Sequence, residues 1–255
     1  MSKDNRFAGK VALVTGGNSG IGKATARRLA AEGAEVIITG RDAERVKEAS
    51  AELGIVGLVA DQGSIEAIDR LVQDVSRLHE RVDILFVNAG VFYATPIPDF
   101  DEATFDEIMN INFKGAIFTL QRFLPLLGAG ASVINLSSIN AYAGMANTAV
   151  YAASKAALNS YTRVAATELA PRKIRVFAGI PGPVETPIFG KTGMTDEQLE
   201  GFGQAMRHRV PLKSFGTPEA IASVVAYLAS DEAQFVTGAE WTIDGGVSIN
   251  PILLD

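Results

Sequence analysis

The chain has 255 residues, of which 47% are hydrophobic and 20% charged, and its net charge is −6. This composition is typical of a globular protein with a sizeable core, and the negative charge disfavours nucleic acid and anionic lipid as partners. Because the chain has no cysteine and only two widely separated histidines, it excludes disulfides, zinc–thiolate sites, iron–sulfur clusters and a cysteine nucleophile, and no metal site is expected.

From the N-terminus onward, short β-branched runs alternate with longer helical patterns. The first ten residues are polar and no apolar run could span a membrane, so neither a secretory signal nor a membrane segment is expected and a cytoplasmic location is predicted. The predicted strands are Lys10–Thr15, Glu35–Thr39, Ile55–Ala60, Val82–Val87, Ser132–Leu136, Ile174–Gly179 and Ala239–Ile243. The predicted helices are Gly22–Ala31, Ala43–Leu53, Ile65–Leu78, a long region from about Thr104 to Leu127, Tyr151–Leu169 and Pro218–Ala229.

Alternation of this kind, with strands that are apolar throughout, predicts an α/β fold. We expect a doubly wound, mostly parallel Rossmann-type sheet with helices on both faces, in three layers. The sequence has neither a linker nor a repeat, so residues 1–255 are predicted to form a single domain. The pattern breaks over Pro181–Pro211, and a loop of that length in a compact domain is usually a lid or a binding loop. We therefore expect a substrate lid at about residues 187–213.

A glycine-rich turn, Thr15–Gly22, joins the first predicted strand to the first helix with the spacing G-x-x-x-G-x-G. Glycines allow a tight turn and let backbone N–H groups approach a pyrophosphate at a helix N-terminus. Two alternatives are a purely structural turn and a Walker A loop, which requires a hydroxyl where this chain has Ala24. The residues expected to bind a dinucleotide here are Gly16, Asn18, Ser19, Gly20, Ile21 and Gly22.

The ends of the next two predicted strands bear on the choice of cofactor. An acidic residue near the end of the second strand usually binds the ribose hydroxyls of NAD, but here Gly40 is followed by Arg41, whose planar guanidinium suits a phosphate. This favours NADP(H) over NAD(H). Alternatively, Arg41 is a solvated loop residue, and Asp42 caps the next helix or itself reaches the ribose. Asp61 and Gln62 follow the third strand, where Asp61 could bind the adenine amino group or cap a helix.

A tyrosine and a lysine four residues apart, Tyr151 and Lys155, share one face of a predicted helix. A nearby cation favours the phenolate, so such a tyrosine could exchange a proton with a carbonyl oxygen during hydride transfer. Ser138 follows a parallel strand at its carboxyl end, where ligands bind, and could hold the same oxygen. The alternatives are a surface pair and an ordinary turn. No other tyrosine has a lysine at this spacing; their positions are Tyr93, Tyr142, Tyr161 and Tyr227.

Together these residues resemble the short-chain dehydrogenase/reductase family in its compact form. The resemblance covers nearly the whole chain. The chain departs from the family pattern at Val87, where asparagine is usual, and at Ile180, where asparagine or serine is common. Such a family member would be an NADP-dependent oxidoreductase that transfers a hydride between NADP(H) and a ketone, aldehyde or secondary alcohol. The matching motifs are Thr15–Gly22, Asn88-Ala89-Gly90, Asn112, Ser138, Tyr151–Lys155, Pro181-Gly182 and Asp244-Gly245-Gly246.

The resemblance implies a role for each matching residue. Tyr151 would be the general acid in reduction and the general base in oxidation, and Lys155 would lower its pKa and bind the nicotinamide ribose. Ser138 would hold the substrate oxygen, and Asn112 would anchor a water that relays protons to Lys155. Further cofactor contacts would come from Asn88, Ala89, Gly90, Pro181, Gly182, Val184 and Thr186.

Partners follow from the resemblance and from the residues around the expected site. The family is mostly homotetrameric through its long helices and C-terminal segment, so a homotetramer is implied. A function of another class, an NADP(H)-binding sensor without catalysis, remains the alternative. Residues near the site are mostly apolar and favour a hydrophobic substrate, although some could equally serve lid packing or a subunit contact. They are Phe92, Tyr93, Asn140, Tyr142, Met145, Ile188, Phe189, Met194, Phe202 and Met206.

Overall fold

The computed structural model describes residues 5–186 and 196–250, in which short buried strands alternate with helices. The strands are β1 (Val11–Val14), β2 (Glu35–Gly40), β3 (Val56–Val59), β4 (Val82–Val87), β5 (Leu127–Leu136), β6 (Arg175–Pro181) and β7 (Glu240–Ile243). The helices are α1 (Gly20–Ala31), α2 (Ala43–Leu53), α3 (Ile65–Leu78), α4 (Glu102–Met109), α5 (Ala116–Phe123), α6 (Ala149–Leu169), α7 (Asp196–Arg209) and α8 (Pro218–Ala229).

All seven strands form one parallel sheet in the order β3-β2-β1-β4-β5-β6-β7. Alternate side chains of β1 enter different cores: Leu13 packs with α3, α5 and α6, whereas Val14 packs with α1, α2 and α8. This arrangement confirms the predicted doubly wound, three-layer sheet. The strand order reverses between β1 and β4, so a crevice opens beyond their carboxyl ends, where such sheets bind ligands.

The helical region predicted from about Thr104 to Leu127 is confirmed as far as Phe123, although it is not α-helical throughout. A π-helical turn at Asn110–Gly115 separates α4 from α5, and α5 ends at Phe123. Gly115 lies in that turn because the Gln62 backbone passes beside it: a Cβ there would come within 1.9 Å of the Gln62 carbonyl oxygen. The π-helical turn thus lies where two backbones pack closely, and side-chain periodicity carries no signal for it.

The segment predicted as a loop over Pro181–Pro211 is also partly regular. Strand β6 runs through Pro181, and α7 occupies Asp196–Arg209. Gly201 and Gly203 lie within α7, and glycines of this kind lower helix propensity, which hid the helix in the sequence. A parallel bridge between Val184 and Gly216 closes the base of the segment. Positions 187–195 of the expected lid lie outside the described residues.

Across residues 5–186 and 196–250, no helix combines the length and the apolar character needed to cross a membrane. The longest, α6, has 21 residues but carries lysine, asparagine, arginine and glutamate along its length. This helix begins at Ala149, two residues before the predicted start, so Tyr151 lies in its first turn. The position matters for the site, because the amides of a first turn favour negative charge nearby.

Candidate active site

The glycine-rich turn follows β1 and is fixed to β4 by two side chains. The Asn88 amide donates to the carbonyls of Thr15 and Gly16 at 2.8 and 3.1 Å, and the Thr15 hydroxyl accepts from the backbone N–H groups of Asn88 and Ala89, both at 3.0 Å. Gly16 and Gly20 have positive φ, 64° and 51°, which glycine adopts without strain. The turn therefore has the shape of a pyrophosphate cradle at the N-terminus of α1.

Gly22 is the position in this turn where a side chain is least tolerable. A Cβ there would lie 2.4 Å from the Gly16 carbonyl oxygen and 2.6 Å from the Asn88 amide nitrogen, so the backbone of the cradle would have to move. We expect Gly22→Ala to weaken cofactor binding at least tenfold, measured by fluorescence titration of purified protein. Gly128→Ala is the matched control, because a Cβ at Gly128 meets nothing within 4 Å. Equal affinities for the two variants would contradict the assigned cradle.

The Walker A alternative fails on the position of its lysine. The Lys23 ammonium lies 2.5 Å from the Glu52 carboxylate on α2, where that carboxylate also pairs with Arg27. A triphosphate-binding lysine must instead face the phosphates inside the loop. Ser19, by contrast, is the N-cap of α1 but makes no capping bond with its side chain, and it is exposed beside the cradle.

At the end of β2, Asp42 takes the helix-capping role that was one of the alternatives for it. Its carboxylate caps α2 by accepting from the Arg45 backbone N–H at 3.1 Å. Gly40 faces Asn18, and a Cβ there would lie 2.9 Å from the Asn18 side-chain oxygen, so this position has no room for an acidic side chain unless Asn18 moves. Arg41 is 55% exposed at the side chain, with its guanidinium 3.6 Å from the Glu107 carboxylate of α4.

Beyond β3, Asp61 and Gln62 take different roles. Asp61 is exposed, and its carboxylate accepts from the Gly63 backbone N–H at 2.8 Å, while Ser64 caps α3. Gln62 is buried and donates to the carbonyls of Ala89 and Ile111 at 3.0 and 3.1 Å. Its side-chain oxygen has no hydrogen-bond partner within the described part of the chain. Helix capping is thus not the role of Asp61.

Tyr151, Lys155 and Ser138 meet where β5 ends and α6 begins. The Lys155 ammonium donates to the Leu136 carbonyl at 2.8 Å and lies 5.7 Å from the centroid of the Tyr151 ring. Ser138 accepts from the Asn140 backbone N–H at 3.2 Å, which caps a short 3₁₀ turn and fixes the hydroxyl beside the phenol. Phe92 packs edge-on against Tyr151, with 5.0 Å between ring centroids.

Burial sets the protonation behaviour of this pair. It raises the pKa of the Tyr151 phenol, while a hydrogen bond with Ser138 acts in the opposite direction. It also lowers the pKa of Lys155 from 10.5 to about 8, because a buried ammonium has lost most of its water. The lysine is only 4% exposed, yet it is spared complete desolvation by its bond to Leu136. Burial therefore disfavours the charged form of both side chains, the phenolate of Tyr151 and the ammonium of Lys155.

Asn112 lies in the π-helical turn and is almost completely buried. Its side chain accepts from the Val91 backbone N–H at 2.8 Å and donates to the Val91 carbonyl at 2.9 Å. Gly90 lies between the two polar groups: a Cβ there would be 3.1 Å from the Asn112 oxygen and 3.6 Å from the Lys155 nitrogen. The absence of a side chain at Gly90 leaves space between Asn112 and Lys155, which is where a relaying water would have to lie.

The remaining predicted contacts lie at the carboxyl end of β6. Gly182 packs against Asp244, where a Cβ would meet the aspartate at 2.6 Å, and Val184 is buried. Thr186 is the last described residue before the gap. Of the apolar residues expected around the substrate, Ile188, Phe189 and Met194 lie outside the described residues.

Two residues of the site were not singled out from the sequence. The Thr15 hydroxyl binds two amides of the Asn88-Ala89 segment, and Val91 is the backbone partner of Asn112. A threonine at the end of an apolar strand is common, and a backbone partner leaves no trace in residue type. Only the closing of the sheet, which brings β1 beside β4, makes either role visible.

A glycine cradle at the strand-order reversal, with a tyrosine–lysine pair at the end of β5, defines a Rossmann-type oxidoreductase. Residues 16–248 match the family model described as enoyl-(acyl carrier protein) reductase. A 3-oxoacyl-(acyl-carrier-protein) reductase, FabG, from Thermotoga maritima is 38% identical over 251 residues, covering 96% of this chain and 100% of the relative. The human dehydrogenase/reductase SDR family member 4 is 35% identical over 255 residues, covering 96% of this chain and 90% of the relative.

A solved structure gives the same result. A short-chain dehydrogenase from Burkholderia cenocepacia, in complex with NADP, superposes with a TM-score of 0.86 at 34% identity and covers 95% of this chain and 99% of its own. The chain therefore belongs to the short-chain dehydrogenase/reductase family, as its motifs predict, and it is an oxidoreductase of that family.

Proposed function

We propose that this protein is an NADP(H)-dependent reductase of ketones or aldehydes, which also oxidises the corresponding alcohols. The observation that carries the proposal is the meeting of Tyr151, Ser138 and Lys155 at the carboxyl edge of the sheet, beside the glycine cradle. Polar groups at this edge face the crevice in which a dinucleotide lies in such folds. No other tyrosine in the sequence has a lysine four residues later.

In the reduction, NADPH held by the glycine cradle would supply a hydride for the carbonyl carbon. Ser138 holds the carbonyl oxygen by a hydrogen bond, and Tyr151 donates its hydroxyl proton to that oxygen, so that C=O becomes CH–OH. Lys155, as the ammonium, stabilises the phenolate that remains and passes a proton back to it, and the lysine then takes a replacement proton through the space beside Gly90 and Asn112. In the oxidation, the same phenolate takes the proton from the alcohol.

The cofactor fits the residues present on two counts. The turn is packed tightly at the N-terminus of α1, since Gly16 and Gly22 both face other protein atoms at distances that exclude side chains, and backbone N–H groups at a helix N-terminus favour a pyrophosphate. Gln62, buried beside Ala89, has a side-chain oxygen without a hydrogen-bond partner among residues 5–186 and 196–250, and it follows Asp61, the residue expected to meet the adenine. Arg41 supports NADP(H) over NAD(H), because it is exposed and the neighbouring Asp42 is engaged in capping α2.

Arg41→Ala is expected to lower kcat/KM for NADPH about tenfold while changing that for NADH less than twofold. The reason is that a guanidinium–phosphate contact exists only for the cofactor that carries the 2′-phosphate. Arg45→Ala is the matched control, since it removes the same charge from a more exposed side chain that pairs with Asp42. A parent enzyme that prefers NADH would contradict the NADP(H) assignment, as would equal effects of the two substitutions on NADPH.

The substrate class is tested with a panel of hydrophobic ketones, aldehydes and 3-oxoacyl thioesters, each assayed with NADPH and with NADH. An enoyl thioester belongs in the same panel, because the matching family model bears an enoyl reductase description and one relative is a 3-oxoacyl reductase by name. We expect turnover of a carbonyl and none of the carbon–carbon double bond, since Tyr151 and Ser138 are placed to act on an oxygen. Reduction of the enoyl compound alone would contradict the proposal.

Two further parts of the proposal concern assembly and access. We propose a homotetramer, supported by an apolar groove between α5 and α6 in which Phe118, Leu124 and Val164 take part; Val164 is 53% exposed. We also propose that residues 187–213 act as the substrate lid, supported by the Val184–Gly216 bridge that anchors the segment at its base. Sedimentation of the purified protein tests the first of these.

A further inference from the structure

The helix that carries Tyr151 and Lys155 is capped by a residue from another part of the chain. Thr148 is the N-cap residue of α6, yet its side chain makes no capping bond. Its hydroxyl instead donates to the Met145 carbonyl at 2.8 Å. The first N–H groups of a helix have no partner within the helix, and a buried one needs a partner from elsewhere.

Thr95 supplies that partner. Its hydroxyl oxygen accepts from the Val150 backbone N–H at 3.1 Å, and its own N–H donates to the Asn147 carbonyl at 2.8 Å. Thr95 is completely buried, and its backbone forms a parallel bridge with Thr148. Asn147 holds its carbonyl in place with a φ of 64°, a conformation that asparagine tolerates better than most residues. Thr95 is therefore joined to the start of α6 by two hydrogen bonds, one through its hydroxyl and one through its backbone N–H.

Val150, whose backbone N–H binds the Thr95 hydroxyl, lies immediately before Tyr151. Thr95 also ends the loop that leaves the cofactor crevice at Gly90, and that loop is tied at its start by Asn112 to Val91. Phe92, in the middle of the loop, packs on the Tyr151 ring. One short segment thus connects the crevice wall to the first turn of α6.

We propose that Thr95 is a positioning residue for the reaction, holding the first turn of α6 so that the Tyr151 phenol faces the substrate oxygen. The proposal relies on the proposed function, in which Tyr151 transfers the proton. Thr95 acts through the helix and does not touch the reacting atoms. Its hydroxyl also satisfies the Val150 N–H and so fixes the N-terminal turn of a helix whose dipole favours a phenolate nearby.

The test removes the Thr95 hydroxyl while keeping the shape of the side chain. Thr95→Val is expected to lower kcat about tenfold, because small misplacements of a reacting group are costly, while the NADPH dissociation constant stays within twofold. The pH at which alcohol oxidation reaches half its maximum is expected to rise by roughly 0.3 to 0.7 units, because the phenolate loses its fixed position at the N-terminus of α6. Thr95→Ser, which keeps the hydroxyl, is expected to restore both values.

A purely structural role predicts a different pattern. It would lower the melting temperature of Thr95→Val but leave kcat and the pH profile of the folded enzyme at parent values, and that result would overturn the proposal. Thr148→Val is the matched control, because it removes a buried hydroxyl from the same helix end. A shift in its pH profile equal to that of Thr95→Val would also overturn the assignment to Thr95.

If Thr95→Val does not fold, the pair Thr95→Ser and Thr95→Ala decides the question, since these variants differ by the hydroxyl alone. A kcat about tenfold lower for the alanine variant supports the proposal, and equal values overturn it. Failure of the proposed function is distinguishable: in that case Tyr151→Phe itself would retain turnover. Loss of activity in Tyr151→Phe together with an unchanged Thr95→Val would remove only the positioning role.

Discussion

Tyr151→Phe is expected to lower kcat for carbonyl reduction by about 10³-fold, with NADPH binding unchanged. The substitution removes one oxygen atom and leaves the ring contact with Phe92 in place, so only the proton donor is lost. General acid catalysis by a positioned side chain contributes about 10² to 10⁴ in rate, which sets the expected size. Steady-state kinetics with the best substrate of the panel and a fluorescence titration of NADPH measure the two quantities.

The control for this variant is another tyrosine that loses the same atom. Tyr227 lies on α8, on the opposite face of the sheet from α6, and packs edge-on against Trp241. Tyr227→Phe should retain parent kcat. If Tyr151→Phe reduced carbonyls as fast as the Tyr227 variant, the assigned mechanism would be wrong. A parent protein that binds NADPH but turns over nothing in the panel would instead favour the sensor.

Lys155→Met is expected to reduce kcat about 10²-fold at neutral pH and, at the same time, to make the protein more stable. Methionine keeps the apolar stem of the lysine and removes a buried charge. The cost of that charge follows from the fall in the lysine pKa from 10.5 to about 8, and one pKa unit corresponds to about 1.4 kcal/mol. After allowance for the lost bond to the Leu136 carbonyl, we expect a gain of about 2 kcal/mol at pH 7.

The lowered pKa of Lys155 determines how the stability difference between the two proteins changes with pH. Below about pH 8 the native lysine is protonated in a site that disfavours its charge, so the parent carries the full penalty. As the pH rises from about 8 toward 10.5, the native lysine loses its proton before the unfolded one, and the penalty disappears. Thermal unfolding of both proteins at several pH values should therefore show a difference of about 4–8 °C at pH 7 that shrinks above pH 8.

Lys47→Met controls for the general effect of removing a positive charge. Lys47 lies on the exposed face of α2, so its ammonium remains hydrated in the native protein and its loss should change the melting temperature little. A Lys155 variant that is less stable than the parent at pH 7 would show that the ammonium is held by more favourable contacts than burial allows.

The sequence was sufficient to predict the sheet and to single out the tyrosine–lysine pair, because both depend on residue type. Strands that are buried on both faces must be apolar throughout, so β1, β2 and β4 could be recognised from composition alone. The tyrosine–lysine pair could be recognised because four residues make one helical turn. Glycines at Gly16 and Gly20 mark backbone conformations that other residues avoid.

What could not be predicted depends on contacts between distant backbones. The π-helical turn at Asn110–Gly115 lies where Gln62 crosses beside it, and the sequence predicted the helical region without that turn. The cap of α6 likewise comes from Thr95, although Thr148 is the threonine that sequence rules would choose. Residue type alone does not reveal which loop passes the end of which helix.

Both side-chain N–H donors of Asn88 are hydrogen-bonded within the protein. Its amide N–H groups are bonded to the carbonyls of Thr15 and Gly16, so they fix the shape of the cradle and are not available to bind the phosphates. Binding then requires little ordering of the turn, and less of the interaction energy is lost to immobilising it. The two carbonyls also require an amide at this position. An aspartate would face them with acceptor atoms only, so the hydrogen bonds that join the ends of β1 and β4 would be lost.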